Sequence, residues 1–389
     1  MTAPRQIDAP FLAQPGLQTV LGMLDRGGHR GLIVGGAVRN AVLGLPVGDV
    51  DLATDAEPQR VIDLAGAAGL KSVPTGIDHG TVTVIADHTP YEITTFRRDV
   101  ETFGRAATVA FSDRIEDDAE RRDFTMNALY ATARGEVLDP VGGWPDVIAR
   151  RLRFVGDAAS RIREDYLRIL RFFRFYAWYA TDFAEGTTEA IAANLGGLGH
   201  VSAERIGAEI AKLLAAPDPA ASLALMAQTG VLAQVLPRAD PAPLPALIAA
   251  EAAHDAAPDW LRRMALIAPA DAASGLRLSR AQTAQLARLQ QAAGTPLAEV
   301  AFRHGREIAR DAALIAVAKG LPVPTDWPGR IARAASAPLP IAAADLMPGL
   351  RGPALGEGLR AAEALWLASD FTATRADLVA AARRIGESA

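Results

Sequence analysis

The run Gly31-Leu-Ile-Val-Gly-Gly-Ala-Val-Arg-Asn40, with Gly48-Asp-Val-Asp-Leu-Ala-Thr-Asp55 just after it, decides how this chain is read. Three apolar β-formers end in a Gly-Gly pair and pass straight into a helical pattern over residues 37–43. A strand that turns so tightly into a helix lets backbone N–H groups approach a phosphate, and Arg39 in the first turn adds a fixed positive charge. The dinucleotide glycine fingerprint and the Gly-Lys-Ser/Thr ending of the Walker loop are both missing. Taken alone, Gly35-Gly36 also fits an ordinary tight turn. Asp49 and Asp51 lie two apart in an extended segment, so their side chains share a face. Carboxylates that close repel unless a divalent cation lies between them, the plainer alternative being two solvated loop acids.

Working outward, Thr81-Val-Thr-Val-Ile85 and Tyr91-Glu-Ile-Thr-Thr-Phe96 read as further strands, and residues 59–69 as a second helix. The first 145 or so residues are therefore a mixed α/β region. Glu92 stands mid-strand, with Ile93 and Thr95 on the opposite face, and a carboxylate there is costly unless it binds something. Three acids on adjacent strands are what two-metal phosphoryl transfer requires. In Arg121-Arg-Asp-Phe-Thr-Met-Asn-Ala-Leu129, Arg122 can contact a triphosphate. Asp123 and Asn127, four apart, are expected on one helix face; a capped helix start with surface charge is the bland alternative.

After Trp144 the pattern turns helical and stays so, and residues 157–185 contain neither Gly nor Pro. On one continuous helix, Arg161, Glu164, Asp165, Arg168 and Arg171 fall within an arc of about 120°. That polar face could equally be a solvated side laced with ion pairs. The aromatic run over 172–179 reads as core packing rather than a base-stacking platform. Prolines near 217–219, 237–245 and 322–328 subdivide the helical region.

The 389 residues, 50% hydrophobic and 22% charged, suit a folded protein of two or three domains. With no Cys there is no disulfide framework, thiolate metal site or cysteine nucleophile, so a metal here would be a hard, oxygen-bound one. No secretory signal is visible, and the uncharged stretch from Pro219 to Pro237 reads as buried helices; a cytoplasmic protein with no membrane span is expected. The net charge of −5 averages over unlike regions. Residues 150–174 hold eight Arg against three acids, a local +5, whereas residues 97–123 hold six Arg against eight acids. A negative total thus does not exclude a nucleic-acid partner.

Gly35-Gly-Ala-Val-Arg39, Gly48-Asp-Val-Asp-Leu-Ala-Thr-Asp-Ala56, Arg121-Arg-Asp-Phe-Thr-Met-Asn-Ala128, Glu164-Asp-Tyr-Leu-Arg168 and Val201-Ser-Ala-Glu-Arg-Ile-Gly-Ala-Glu-Ile-Ala-Lys212 occur in that order. Together they resemble the class II tRNA nucleotidyltransferase/poly(A) polymerase family, specifically the bacterial CCA-adding enzymes. The resemblance covers about residues 30–215. It implies an α+β fold, a palm-type nucleotidyltransferase head with a mixed sheet at 1–147. An all-α neck at 148–215 and a helical, tRNA-binding body and tail at 216–389 would follow.

By the same resemblance Asp49 and Asp51 hold two catalytic Mg²⁺ ions, with Glu92 as third carboxylate. Gly35, Gly36 and Arg39 hold the triphosphate, Arg122, Asp123 and Asn127 position phosphates and ribose, and Asp165 and Arg168 act as a protein template for the base. Arg171, on the same polar arc, is added to the nucleotide-binding set. The template role has a physical basis. Cytosine N4 and adenine N6 are amino donors that an Asp can accept from, whereas uracil and guanine present a carbonyl there.

Two departures stand out: Asn40 replaces the family's usual Asp, and residues 99–109 offer only Arg105 followed by Ala106 where the family has a double Arg-Pro. His254-Asp255 has no companion cluster, so no appended metal phosphohydrolase is expected. The expected activity is template-independent addition of C, C and A to the tRNA 3′ end from CTP and ATP. Rivals are a poly(A) polymerase, a split-activity enzyme adding only CC or only A, and a catalytically silent RNA-binding module. The acidic balance leans against the first and the clustered acids against the last.

Overall fold

The computed structural model describes residues 5–103 and 106–386. The chain divides into two compact units, residues 1–235 and 236–389.

In the first 147 residues of the first unit the strands are β1 (Gly31–Val34), β2 (Leu52–Thr54), β3 (Lys71–Gly76), β4 (Thr81–Ala86), β5 (Thr89–Thr95), β6 (Arg97–Phe103), β7 (Ala106–Phe111), β8 (Tyr130–Ala131) and β9 (Val137–Leu138). All but β6 and β7 form one sheet in the order β3-β4-β5-β2-β1-β8-β9. β1 pairs antiparallel with both β2 and β8, whereas β2 runs parallel to β5 with Leu52 opposite Ile93. Leu32, Ile33 and Val34 are all buried, as a central strand covered on both faces requires. β6 and β7 form a separate antiparallel hairpin. Arg105, singled out in the sequence, lies outside the described residues.

The two expected head helices form as α2 (Gly36–Leu43) and α3 (Pro58–Ala67), and a further helix, α1 (Pro15–Arg26), precedes them; α1 and α3 start with Pro, whose missing N–H costs nothing in a first turn. On α1, Leu17, Val20, Leu21 and Leu24 follow helical spacing and are buried. α4 (Ile115–Glu120) and α5 (Trp144–Ile148) follow. The core between sheet and α4 contains Leu32, Val34, Phe96, Ile115, Tyr130 and Val155.

Beyond residue 150 the unit is mostly helical, with one short parallel pair of strands, Arg151–Leu152 against Asp182–Phe183; its helices include α6 (Ala158–Glu164), α7 (Leu167–Tyr179), α8 (Thr187–Ala193) and α9 (Ala203–Leu214). The single helix expected across 157–179 is broken. Asp165 adopts an extended backbone, φ −151° and ψ 104°, between α6 and α7. No Gly or Pro marks the break. It is held from outside the segment, because the Tyr166 ring fills the space over Gly197, where a Cβ would lie 1.9 Å from it. The expected 120° arc therefore does not exist as one helical face. The aromatic run of α7 is packing, as read from the sequence: Phe172 and Phe173 are fully buried, with Phe172 against Phe154 and Phe183. Residues 219–237 form two short helices, Ala220–Gln228 and Val231–Val235.

The second unit is helical throughout, with helices that include Leu244–Ala253, Trp260–Ile267, Arg306–Ala318, Gly352–Ala368 and Arg375–Gly386. Among the described residues no helix is long and apolar enough to cross a membrane.

Candidate active site

The site begins at the end of β1. Gly35 sits at φ +68° and ψ −116°, a conformation that favours glycine, and opens α2. A Cβ on Gly35 would lie 3.4 Å from Arg122 Nη1, and one on Gly36 3.7 Å from Arg39 Nη2. The glycine turn thus faces two guanidinium groups.

Asp49 and Asp51 precede β2 and are exposed. The Val34 N–H donates to the Asp51 carbonyl at 3.0 Å, tying the acid segment to the glycine turn. Leu52 opposite Ile93 in parallel register places Asp51 beside Glu92, on the face away from buried Tyr91, Ile93 and Thr95. The Asp51 carboxylate reaches solvent, yet the protein around it withholds enough water to push its pKa up. The Glu92 and Asp49 charges add to that push, and Arg122 partly offsets it. Among the described residues, no group of three or more His, Asp or Glu forms a metal-holding cluster by itself.

Arg122 is fixed by a group the sequence reading passed over. Asp118, 1% exposed, accepts from Arg122 Nη2 at 2.8 Å, Arg121 Nε at 2.8 Å and the Tyr130 hydroxyl at 2.6 Å. Burial alone would raise its pKa, but the Arg122 and Arg121 charges with these hydrogen bonds hold the carboxyl at about 2. Asp118 hides in an acidic run, Glu116-Asp-Asp-Ala-Glu120, that reads as surface. Its spacing of three and four to Arg121 and Arg122 was the available signal.

Asp123 and Asn127 do come together, although not on an α-helix. Asn127 ends a 3₁₀ turn, Thr125–Asn127, and its Nδ2 donates to Asp123 Oδ1 at 3.0 Å. Both side chains are buried. Burial opposes the Asp123 charge, but Arg171 on α7, donating through Nε at 2.7 Å, holds its carboxyl below the usual range. Arg39 is 5% exposed and turned inward. It donates to Asn127 Oδ1 and, through Nη2 at 2.9 Å, to Asn40 Oδ1, while its guanidinium lies 3.8 Å from the Tyr179 ring centroid. Desolvation lowers its pKa, and the cation–π contact with Tyr179 keeps the charge tolerable.

At the helix break, Asp165 and Arg168 are held by different partners. Asp165 Oδ2 accepts from Arg205 Nη2 at 2.6 Å, and Oδ1 from the Leu167 N–H at 3.1 Å. Arg168 pairs with Glu164 and donates to the Arg161 carbonyl at 2.7 Å. Arg205, Tyr179 and the Arg174–Glu209 pair joining α7 to α9 at 2.7 Å had no assigned role in the sequence reading.

Residues 32–153 match the family described as "Poly A polymerase head domain", and residues 182–242 that described as "Probable RNA and SrmB- binding site of polymerase A". The solved Bacillus stearothermophilus CCA-adding enzyme in complex with CTP is 30% identical with a TM-score of 0.73, covering 91% of this chain and 93% of that one. The chain belongs to the tRNA nucleotidyltransferase/poly(A) polymerase family. Among curated members of the family, the CCA-adding enzyme of Geobacillus thermodenitrificans is 44% identical over 223 residues, 56% of this chain and 54% of that protein. The mitochondrial CCA tRNA nucleotidyltransferase 1 of Mus musculus is 41% identical over 203 residues, 51% and 47% of the two chains. The match thus spans about half the length of these curated family members. The Thermotoga maritima CCA-adding enzyme complexed with tRNA-CCA, 17% identical with a TM-score of 0.70 over 100% of both chains, shares the family fold.

Proposed function

We propose that this chain adds C, C and A to the 3′ end of tRNA without a nucleic-acid template, using CTP and ATP and releasing pyrophosphate. The observation that carries the reading is the convergence of the Gly35-Gly36 turn, Arg122 and the Asp49, Asp51, Glu92 edge at one end of the sheet. That convergence lies in a chain similar to an enzyme solved with CTP.

The acids fit a hard divalent cation. The like charges of Glu92 and Asp49 already press on Asp51, a repulsion that a cation relieves. Mg²⁺ is characteristically held by one or two carboxylates with substrate phosphates, so a ready-made cage is not required. Asp49 and Asp51 would hold two Mg²⁺ ions, with Glu92 as third carboxylate. When bound, such ions lower the pKa of the attacking hydroxyl and spread the charge on the transferring phosphorus.

The rest is the work of the chain's own groups. The Gly36 backbone N–H and the Arg122 guanidinium face the triphosphate, while the Gly35 N–H is taken up by the Leu129 carbonyl. Arg39, Asp123 and Asn127 form the wall that orients phosphates and ribose, and Arg171 fixes Asp123. The tRNA 3′ oxygen bonds to the α-phosphorus as the bond to pyrophosphate breaks. Asp165 accepts the exocyclic amino group of C or A, Arg168 donates to the neighbouring ring acceptor, and a wrong base leaves the carboxylate facing an oxygen. In this reading residues 1–147 are the catalytic head, 148–215 the base-reading neck and 216–389 the tRNA-binding body and tail, working in the cytoplasm.

The test uses Mg²⁺, labelled CTP and ATP, and tRNA transcripts ending before the first C, the second C or the A. Extension to CCA and arrest is expected. Asp49→Ala or Asp51→Ala should abolish incorporation while tRNA binding survives. Long A tails, arrest after CC, or no product refutes the activity, and turnover in either variant refutes the metal assignment.

A further inference from the structure

The break between α6 and α7 leaves Asp165 outside any helix, so no helical backbone fixes where its carboxylate points. Two bonds do: the Leu167 N–H to Oδ1 at 3.1 Å, and Arg205 Nη2 to Oδ2 at 2.6 Å. The first is local and moves with the loop. The second comes from another element. Arg205 stands in the first turn of α9, whose N-cap Ser202 accepts from the Arg205 N–H. Two further ties bind α9 to α7: Arg174 to Glu209 at 2.7 Å, and the Trp178 indole N–H to the Lys212 carbonyl at 2.8 Å. Arg205 is therefore delivered by a helix clamped to the one that carries Arg168.

Asp165, Arg205, Tyr166 and His200 line one cavity of about 260 Å³. This lies just below the roughly 300–1,000 Å³ of sites for whole drug-sized ligands, the scale of a single ring system. An ionised carboxylate has about four lone-pair sites. Arg205 and the Leu167 N–H occupy two, one on each oxygen, which leaves acceptor capacity for an incoming amino group.

We propose that Arg205 is a positioning residue for base selection, holding the Asp165 carboxylate in the orientation from which it accepts the amino group of C or A. The proposal rests on the base-reading role of Asp165 given above. Without Arg205 the carboxylate turns freely at the break, and its preference for an amino donor over a carbonyl falls. The contact runs through one nitrogen, so a lysine ammonium can replace it.

The experiment measures kcat/KM for CTP and for UTP on a transcript ending before the first C. It compares the full chain with Arg205→Ala, Arg205→Lys and Asp165→Ala, and follows inhibition by tripolyphosphate as a measure of phosphate binding. The loss of one charge-assisted hydrogen bond predicts a fall of about 10- to 100-fold in the CTP over UTP ratio for Arg205→Ala. The Lys variant should recover most of the ratio, with tripolyphosphate inhibition unchanged in both. If Asp165→Ala lowers the ratio and Arg205→Ala does not, Arg205 has no such role. Equal loss of CTP and UTP turnover in Arg205→Ala, with no recovery by Lys, overturns the role as well. If Asp165→Ala leaves the ratio unchanged, the base reading itself fails, and the role of Arg205 falls with it.

Discussion

Replacing Asp118 by Asn tests whether the buried carboxylate is what holds Arg122 toward the glycine turn. Asp118 is 1% exposed and accepts three side-chain donors, from Arg121, Arg122 and Tyr130. A carboxyl held at about 2 against an ordinary 3.8 contributes about 2.4 kcal/mol to stability at neutral pH, at about 1.36 kcal/mol per pH unit. The pKa is depressed in the folded state, so this contribution is complete above about pH 4 and is lost as pH falls toward 2. Breaking a buried pair costs about 3–5 kcal/mol when a charge is left without its partner. Asn still accepts from the Tyr130 hydroxyl but sets an amide donor against an Arg donor, so a loss of about 3 kcal/mol is expected. Amide hydrogen exchange of the peptide spanning residues 115–131 reads this locally, without interference from the second unit. At pH 7 Asp118→Asn should accelerate its slowest amides by about 100-fold, and the wild-type advantage should shrink between pH 4 and pH 2. An acceleration under about fivefold at pH 7, or an advantage that persists at pH 2, refutes the assignment.

Two further outcomes follow from single contacts. Asn40 Nδ2 donates to the Pro46 carbonyl at 2.8 Å, and its Oδ1 accepts from Arg39. Asn40→Asp keeps the acceptor and loses the donor, so the turn leading to Asp49 loosens. Steady-state kinetics should show kcat lowered about 2- to 10-fold with KM for CTP little changed, and an unchanged kcat contradicts this. Gly197→Ala places a Cβ 1.9 Å from the Tyr166 ring and must displace the segment that carries Asp165. Thermal unfolding should report a loss of about 1–3 kcal/mol together with a lower CTP over UTP ratio. Wild-type values for both mean that Tyr166 does not fix the break.

The sequence disclosed most about the head because its signals there are local. Val34 to Gly35-Gly36 is a strand-to-helix turn that only glycine accommodates, and Pro58 opens α3 near where the helical spacing begins. Glu92 could be placed on an open face from period-two alternation alone, and burial follows that alternation. What the sequence withheld depends on distant residues. The break at Asp165 carries no Gly or Pro and exists because Tyr166 packs on Gly197 and Arg205 pairs with the acid, contacts 31 and 40 residues away. Asp123 and Asn127 were brought together on the wrong local geometry, since a 3₁₀ turn achieves what four-residue helical spacing promised. The inward packing of Arg39 likewise depends on distant residues, since its neighbours Tyr179 and Phe175 arrive from a helix over 130 residues later.

The one parallel pairing in the seven-stranded sheet, β2 with β5, sets the order in which the chain can become competent during synthesis. A parallel pair cannot close through a hairpin; it needs a crossover, here α3 with β3 and β4. Asp51 leaves the ribosome with its neighbour Glu92 still unmade, and Leu129, whose carbonyl accepts from the Gly35 N–H, comes later still. A nascent head that ends before β5 therefore has Asp49, Asp51 and a glycine turn but no third carboxylate, and one that ends before Leu129 lacks the bond that holds the turn. Premature termination before β5 yields a fragment that cannot bring Glu92 beside Asp51.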